Sequence, residues 1–192
     1  VSLPGFERGR RYRAVDGHPT FFNFYETQSV ADLESPAYKD RLNNPTPWTL
    51  ATVKQFTDTS RTLCDVVISR GTGQGTFVET VAMETSLADD AFVQGLGDAL
   101  HRLASSSGIV GLHLLRGRIG QDQAVTEEKK LRGVPDQEVA WLLLIEAIDL
   151  DPLTLARKET LTDKLLDESG ATHCKRGIYQ LQYALSKDEL QR

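Results

Sequence analysis

Apolar and polar positions divide this chain into short strands and three longer helical stretches. A first strand is expected over Arg10–Val15, with Asp16-Gly17 marking a hairpin after it. Phe21–Thr27 alternates only loosely, which suits a strand covered on both faces. Ser29 can cap a following helix whose apolar stripe is Val30, Leu33, Ala37, Tyr38 and Leu42. Pro36 is expected to break or kink that helix, and Asn43-Asn44-Pro45-Thr46-Pro47 to end it. Trp48–Phe56 is ambiguous, with a short helix among its readings. Thr59–Ser69 is rich in β-branched residues and reads as a strand. Gly71-Thr72-Gly73-Gln74-Gly75 is read as a hairpin loop, since no Gly-Lys-Ser/Thr follows and no helix opens after it.

From Phe77 the pattern becomes cleaner. Phe77–Thr85 alternates as a strand, and Asp89-Asp90 open a helix to Ala104 with Phe92, Val93, Leu96, Leu100 and Leu103 on one side. Strands are expected at Ile109–Arg118, Val139–Ile148 and Lys175–Leu185, with a polar connection over 120–135. Asp151-Pro152 begins a helix to about Glu168. This β-α-β-β-α-β order is the ferredoxin-like plan. The order before Phe77, β-β-α-β, is the same unit without its first strand and helix. Glu26 and Glu146 close equivalent strands, and Leu33 and Leu153 follow them at equal intervals. The expectation is an α+β fold of two fused ferredoxin-like halves packed as a barrel. The halves are residues 1–72, incomplete at the N-terminus, and 73–192, complete. Residues 9–70 should superpose on 109–186.

Charge and composition narrow the partners. The net charge is −5 with basic and acidic residues interleaved, whereas nucleic-acid binding needs a concentrated basic face. The longest apolar run, Val139–Ile145, is far too short to span a bilayer, and no charged-then-apolar leader precedes it. No nucleic acid and no membrane are therefore expected. Cys64 and Cys174 fit a reduced compartment better than a disulfide framework, so a cytoplasmic location is the default.

Leu3-Pro4-Gly5-Phe6, Gly9-Arg10-Arg11-Tyr12, Phe22-Asn23-Phe24-Tyr25-Glu26 and Ser35-Pro36-Ala37-Tyr38 resemble the middle of an EthD-like domain. That family belongs to the dimeric α+β barrel superfamily. The motifs cover about the first 70 residues, and the remainder agrees in element order. The resemblance implies two sheets packed face to face, between two chains of a homodimer or between fused repeats. It implies cofactor-independent lyases, isomerases or monooxygenases acting on aromatic, polyketide-like or lactone substrates in a sheet–helix pocket. In the family a strand and a helix precede the Pro-Gly-Phe block and end in an acidic residue followed by histidine. The missing strand and helix are expected either before Val1 or to be replaced by a neighbouring chain, because an unpaired edge invites pairing.

Several residues are candidates for chemistry. His113, between Leu112 and Leu114, would serve as a general base, or else as a satisfied core imidazole. Arg11 and Tyr12 take opposite faces of the first strand, so only one can enter a given pocket; either would steady an oxyanion. Asn23, Tyr25, Trp48 and Arg61 are candidate substrate-binding residues. Glu26 and Glu146 would face each other across a pseudo-twofold axis, although turn capping is the simpler expectation. His173 beside Cys174 makes a poor zinc site, since strand neighbours point to opposite faces. No metal, haem or other cofactor is expected. A small-molecule ligand is expected under both functional readings, an enzyme or a non-catalytic binding or structural barrel.

Overall fold

Seven antiparallel strands form one continuous sheet in the order β2-β1-β7-β4-β6-β5-β3. The computed structural model describes residues 2–53, 59–121, 127, 130 and 137–191. The expected connection over 120–135 and the end of the 48–56 segment fall largely outside them. The elements are β1 (Phe6–Asp16), β2 (Phe21–Thr27), α1 (Pro36–Asn43), α2 (Pro47–Val53), β3 (Cys64–Arg70), β4 (Phe77–Glu84), α3 (Asp89–Ala104), β5 (Ile109–Gly117), β6 (Trp141–Ala147), α4 (Leu150–Leu155), α5 (Asp163–Glu168) and β7 (Thr172–Ser186).

β4 to β7 make the ferredoxin-like unit, with strand order β7-β4-β6-β5. The N-terminal strands do not make a sheet of their own, which corrects the expectation of two packed sheets. β1 pairs with β7 along one edge of the unit, and β3 pairs with β5 along the other. The expected boundary at 72/73 therefore falls in the loop between two strands of one sheet. Exchanging β1 with β5, β2 with β6 and β3 with β7 nevertheless maps the pairing β1·β7 onto β5·β3 and β1·β2 onto β5·β6. β4, central to the second unit, has no counterpart between β2 and β3 among the described residues.

One face of the sheet is buried by helices. Phe92, Leu96, Leu100 and Leu103 recur at helical spacing on α3 and pack on Leu143 and Ile145 of β6. Asp89 and Asp90 in the first turn and His101 and Arg102 in the last complement the helix dipole. Two helical segments depart from the expected outline. Pro36 does not break a helix but starts one, because the first turn leaves its missing N–H without consequence. The Ser35 hydroxyl caps that start, accepting from the Tyr38 amide at 3.3 Å, while a 3-10 turn occupies Val30–Glu34. The stretch from Asp151 to Glu168 is divided by a π-type turn at Ala156–Thr160, and Thr162 caps α5. That wider turn places Arg157 over the fully buried Glu79, at 2.7 Å, and over Asp16, at 3.2 Å. Arg176 donates to the same Glu79 oxygen at 3.0 Å. Strands β1, β4 and β7 are thus pinned beneath one turn.

The other face carries a smaller core. Tyr12, Val78, Leu144 and Tyr179 are buried there, with Phe22, Phe24, Leu115, Leu142 and Leu181 packed around them. The face is concave, as one contact requires. Arg10 on β1 reaches Glu146 on β6, although β7 and β4 lie between their strands. Three strand spacings amount to about 14 Å, and in a flat sheet the two side chains would stand parallel and apart. They meet because the sheet curls and brings β1 over β6.

Candidate functional site

The concave face gathers its charged groups at the end of β6. Strand alternation puts Trp141, Leu143 and Ile145 into the helix-side core, which leaves Leu142, Leu144 and Glu146 facing the concavity. Glu146 is fully buried. Arg10 Nη1 donates to both of its oxygens at 2.7 Å, and the Gly75 amide donates to Oε2 at 3.0 Å. Arg10 Nη2 donates to Glu26, so the two repeat-related glutamates share one guanidinium. The expected turn-capping role is not what they perform. The guanidinium also lies 4.5 Å from the centre of the Phe24 ring, a cation–π contact.

Gly75 is required at its place. A Cβ there would lie 2.6 Å from the backbone nitrogen and oxygen of Ala147, so only glycine lets the loop amide come down onto Glu146. This is the work done by the glycine-rich loop, which is not the hairpin expected: it joins β3 to β4, and β5 and β6 lie between those two strands in the sheet.

His113 stands beside this group. Leu112 and Leu114 enter the helix-side core, and His113 with Leu115 faces the concavity. Its Nε2 lies 3.5 Å from Glu146 Oε1, an ion-pair distance somewhat longer than an ordinary hydrogen bond. Its Nδ1 lies 2.9 Å from the hydroxyl of Ser69, directly across the β3–β5 pair. An ionised carboxylate only accepts, so Nε2 faces it with a proton, and in the neutral ring that leaves Nδ1 to accept from Ser69. Gly111 lies against both groups: a Cβ there would lie 3.4 Å from His113 Nε2 and 3.3 Å from Glu146 Cβ.

Electrostatics follow from these contacts. Burial opposes the charge on Glu146, but hydrogen bonds from His113 and Gly75 and the charge of Arg10 outweigh it, and its pKa falls below the ordinary 4.5. Burial likewise opposes the Arg10 charge, and Glu26 and Glu146 overcome it, raising the pKa. Tyr12 is pushed up to about 12, first by burial and then by the charge of Glu146. Its buried hydroxyl makes no geometric hydrogen bond, although the nearby Arg10 side chain pulls its pKa part of the way back down.

A carboxylate whose folded pKa is depressed stabilises the fold above its unfolded value and loses that contribution as pH falls through the folded one. The melting temperature should therefore drop as pH falls below about 4.5, and Glu146→Gln should flatten that drop. Thermal melts from pH 7 to pH 3 check this, and an unchanged slope in the variant would remove Glu146 as the cause.

The sequence candidates divide by face. Tyr12 and His113 lie on the concave face. Arg11 points to the opposite side, exposed, with its guanidinium 4.3 Å from the centre of the Phe21 ring. Asn23 and Tyr25 are exposed on that side too, because Phe22 and Phe24 occupy the concave positions of β2. Trp48 is 71% exposed on α2. Arg61 precedes β3 and donates to the Tyr38 hydroxyl at 2.8 Å. The site is not a sheet–helix pocket, since that space is filled by the core around Phe92 and Leu143. Arg10 and Ser69 were not among the sequence candidates. Arg10 shares the strand parity of Tyr12, which is the signal that would have found it; Ser69 carries none.

Burial first, and then Asp65, pushes the Cys64 thiol up to about 11. The exposed His173 contacts Glu84 at 3.2 Å. Among the described residues no group of three or more His, Cys, Asp or Glu could hold a metal ion. No helix among them is long and apolar enough to cross a membrane. A cavity of about 370 Å³ lies away from the concave site, lined by Glu84, Asp89, Glu138, Trp141 and neighbours, with no imidazole or thiol in its wall.

The fold is α+β, a curled antiparallel sheet with helices, and it belongs with ferredoxin-like structures. An anthrone oxidase-like protein matches 97% of this chain over 81% of its own, at 19% identity and a TM-score of 0.62. A candidate monooxygenase from Fusobacterium nucleatum matches 96% of this chain over 80% of its own, at 14% identity and a TM-score of 0.61. A major regulator of staphylococcal pathogenesis matches 92% over 86%, at 11% identity and a TM-score of 0.52. The chain matches no protein-family model and no curated protein.

Proposed function

We propose that the chain is a cofactor-independent enzyme acting on an aromatic, polyketide-like or lactone small molecule at the concave face. His113 serves as general base, with Glu146 holding its tautomer and Arg10 holding Glu146. A substrate proton next to a carbonyl or phenol passes to Nδ1, and the Tyr12 hydroxyl donates to the oxygen that gains charge. The observation that carries the reading is an imidazole beside a buried carboxylate, on the face that also holds the buried Tyr12 hydroxyl. The aromatic wall supports the substrate class: Tyr12 stacks on Phe24 at 5.8 Å, and Phe22 lies 5.5 Å from Tyr179. An anthrone oxidase-like neighbour agrees with it in fold. We further read the first 70 residues as EthD-like and the chain as two fused units, supported by the strand exchange symmetry described above. The free Cys64 and Cys174 favour the cytoplasm.

A second reading is a non-catalytic binding barrel, favoured by Leu115, Leu142 and Leu181 on the concave face. Incubation with a panel of phenols, aromatic acids and lactones, followed by calorimetry and mass spectrometry, separates the two. The enzyme reading expects at least one compound to be consumed. Tyr12→Phe should then lose roughly 10²- to 10³-fold in turnover. It should melt close to the wild-type temperature, because the hydroxyl it removes makes no geometric hydrogen bond. Binding without consumption would establish the second reading in its place.

A further inference from the structure

Ser69, His113 and Glu146 stand in sequence from the surface inward: an exposed hydroxyl, an imidazole 23% exposed, and a carboxylate with no exposure. We propose that Ser69 is a nucleophile for esters or lactones, with His113 as its base and Glu146 as the group that orients the base. The proposal rests on the reading of the concave face as a small-molecule site, and adds to it a covalent route through a second residue.

Three observations support it. The Ser69 hydroxyl is 2.9 Å from Nδ1, the distance at which a base can take its proton. The contact of Nε2 with Glu146 favours the tautomer required, because a neutral ring with its proton toward a carboxylate leaves Nδ1 as the acceptor. The pair is held by the sheet itself, since Ser69 and His113 are directly opposed across β3 and β5. A hydroxyl, an imidazole and a carboxylate so linked form the general nucleophile–base–orienter arrangement, which is recognised by geometry rather than by order in the chain. Here the ring is turned relative to the protease arrangement, with Nδ1 toward the serine.

The chemistry balances without any added reagent except water. Oγ attacks the carbonyl carbon as its proton moves to Nδ1, giving a tetrahedral oxyanion and an imidazolium facing Glu146. The carbon–alkoxide bond breaks, and the departing oxygen takes the proton from Nδ1. An acyl ester remains on Ser69. Water, deprotonated by the same Nδ1, then releases the acid and restores the hydroxyl. A lactone would follow the same path with its own hydroxyl as the leaving group, still tethered to the acyl chain.

The test uses the intact chain and p-nitrophenyl acetate. Rapid mixing should release a burst of p-nitrophenolate approaching one equivalent, and peptide mass spectrometry should find an acetyl group on Ser69. Ser69→Ala should abolish the burst while retaining the wild-type melting temperature. Ser69→Cys should be alkylated by iodoacetamide at least ten times faster than Cys64 or Cys174. An acetyl group found on His113 or a lysine instead, or an undiminished burst in Ser69→Ala, would overturn the proposal. So would a Ser69→Cys thiol no faster than the native ones. Absence of any burst from a protein that consumes panel compounds overturns the nucleophile alone. A Ser69-dependent burst from a protein that neither binds nor consumes them overturns the proton-transfer reading alone.

Discussion

Arg10→Met is expected to destabilise the chain by roughly 3–5 kcal/mol at pH 7, because it strips the guanidinium from a fully buried carboxylate. Methionine keeps much of the side-chain volume, so the loss comes from charge rather than from a cavity. Glu26, 42% exposed, can turn to water, but Glu146 cannot. For a chain of this size the melting temperature should fall by roughly 10 °C. The deficit should shrink as pH is lowered and Glu146 takes up a proton. Arg10→Met combined with Glu146→Leu should recover most of the stability, since replacing both partners removes the uncompensated charge. Urea unfolding of the two single variants and the double variant measures this. A loss below about 1 kcal/mol in Arg10→Met would show that the pair is not what holds β1 over β6.

Locally determined features were legible in the sequence. The stripe Phe92, Leu96, Leu100 and Leu103 needs only helical periodicity to be seen, and it is the stripe that packs on β6. The run Leu142–Ile145 reads as a strand because both of its faces are covered. Pro36 was misread because the rule that proline ends a helix competes with its fitness for the first helical position, and the preceding Ser35 decides between them. The continuous sheet was not legible: which edges β1 and β3 join is set by pairing with β7 and β5, far away in sequence. The site was legible in halves. Alternation placed His113 on its own face and put Arg11 and Tyr12 on opposite ones, but Arg10 meets Glu146 only after the sheet has curled. Ser69, one polar residue in an exposed edge strand, acquires meaning only from the His113 ring opposite it.

His113→Gln should leave the fold standing and lower turnover of any compound consumed by roughly 10²- to 10⁴-fold, the usual cost of a lost general base. Glutamine can still donate to Glu146 and accept from Ser69, so the neighbouring hydrogen bonds have replacements, and the ring is only partly buried. What it cannot do is take and return a proton. The loss should therefore fall on kcat more than on KM, and the pH dependence of kcat/KM should flatten in the variant. Gly111→Ala supplies an intermediate case. Its added methyl would lie 3.3 Å from the Glu146 Cβ, a tight contact, and 3.4 Å from Nε2, so it presses on the carboxylate's stem beside the imidazole while keeping the base. Its turnover should fall less than that of His113→Gln, because a displaced base can still take and return a proton. Equal turnover in wild type and His113→Gln would take the imidazole out of the reaction. Wild-type turnover in Gly111→Ala would show that the imidazole does not need its contact with Glu146 held as it is here.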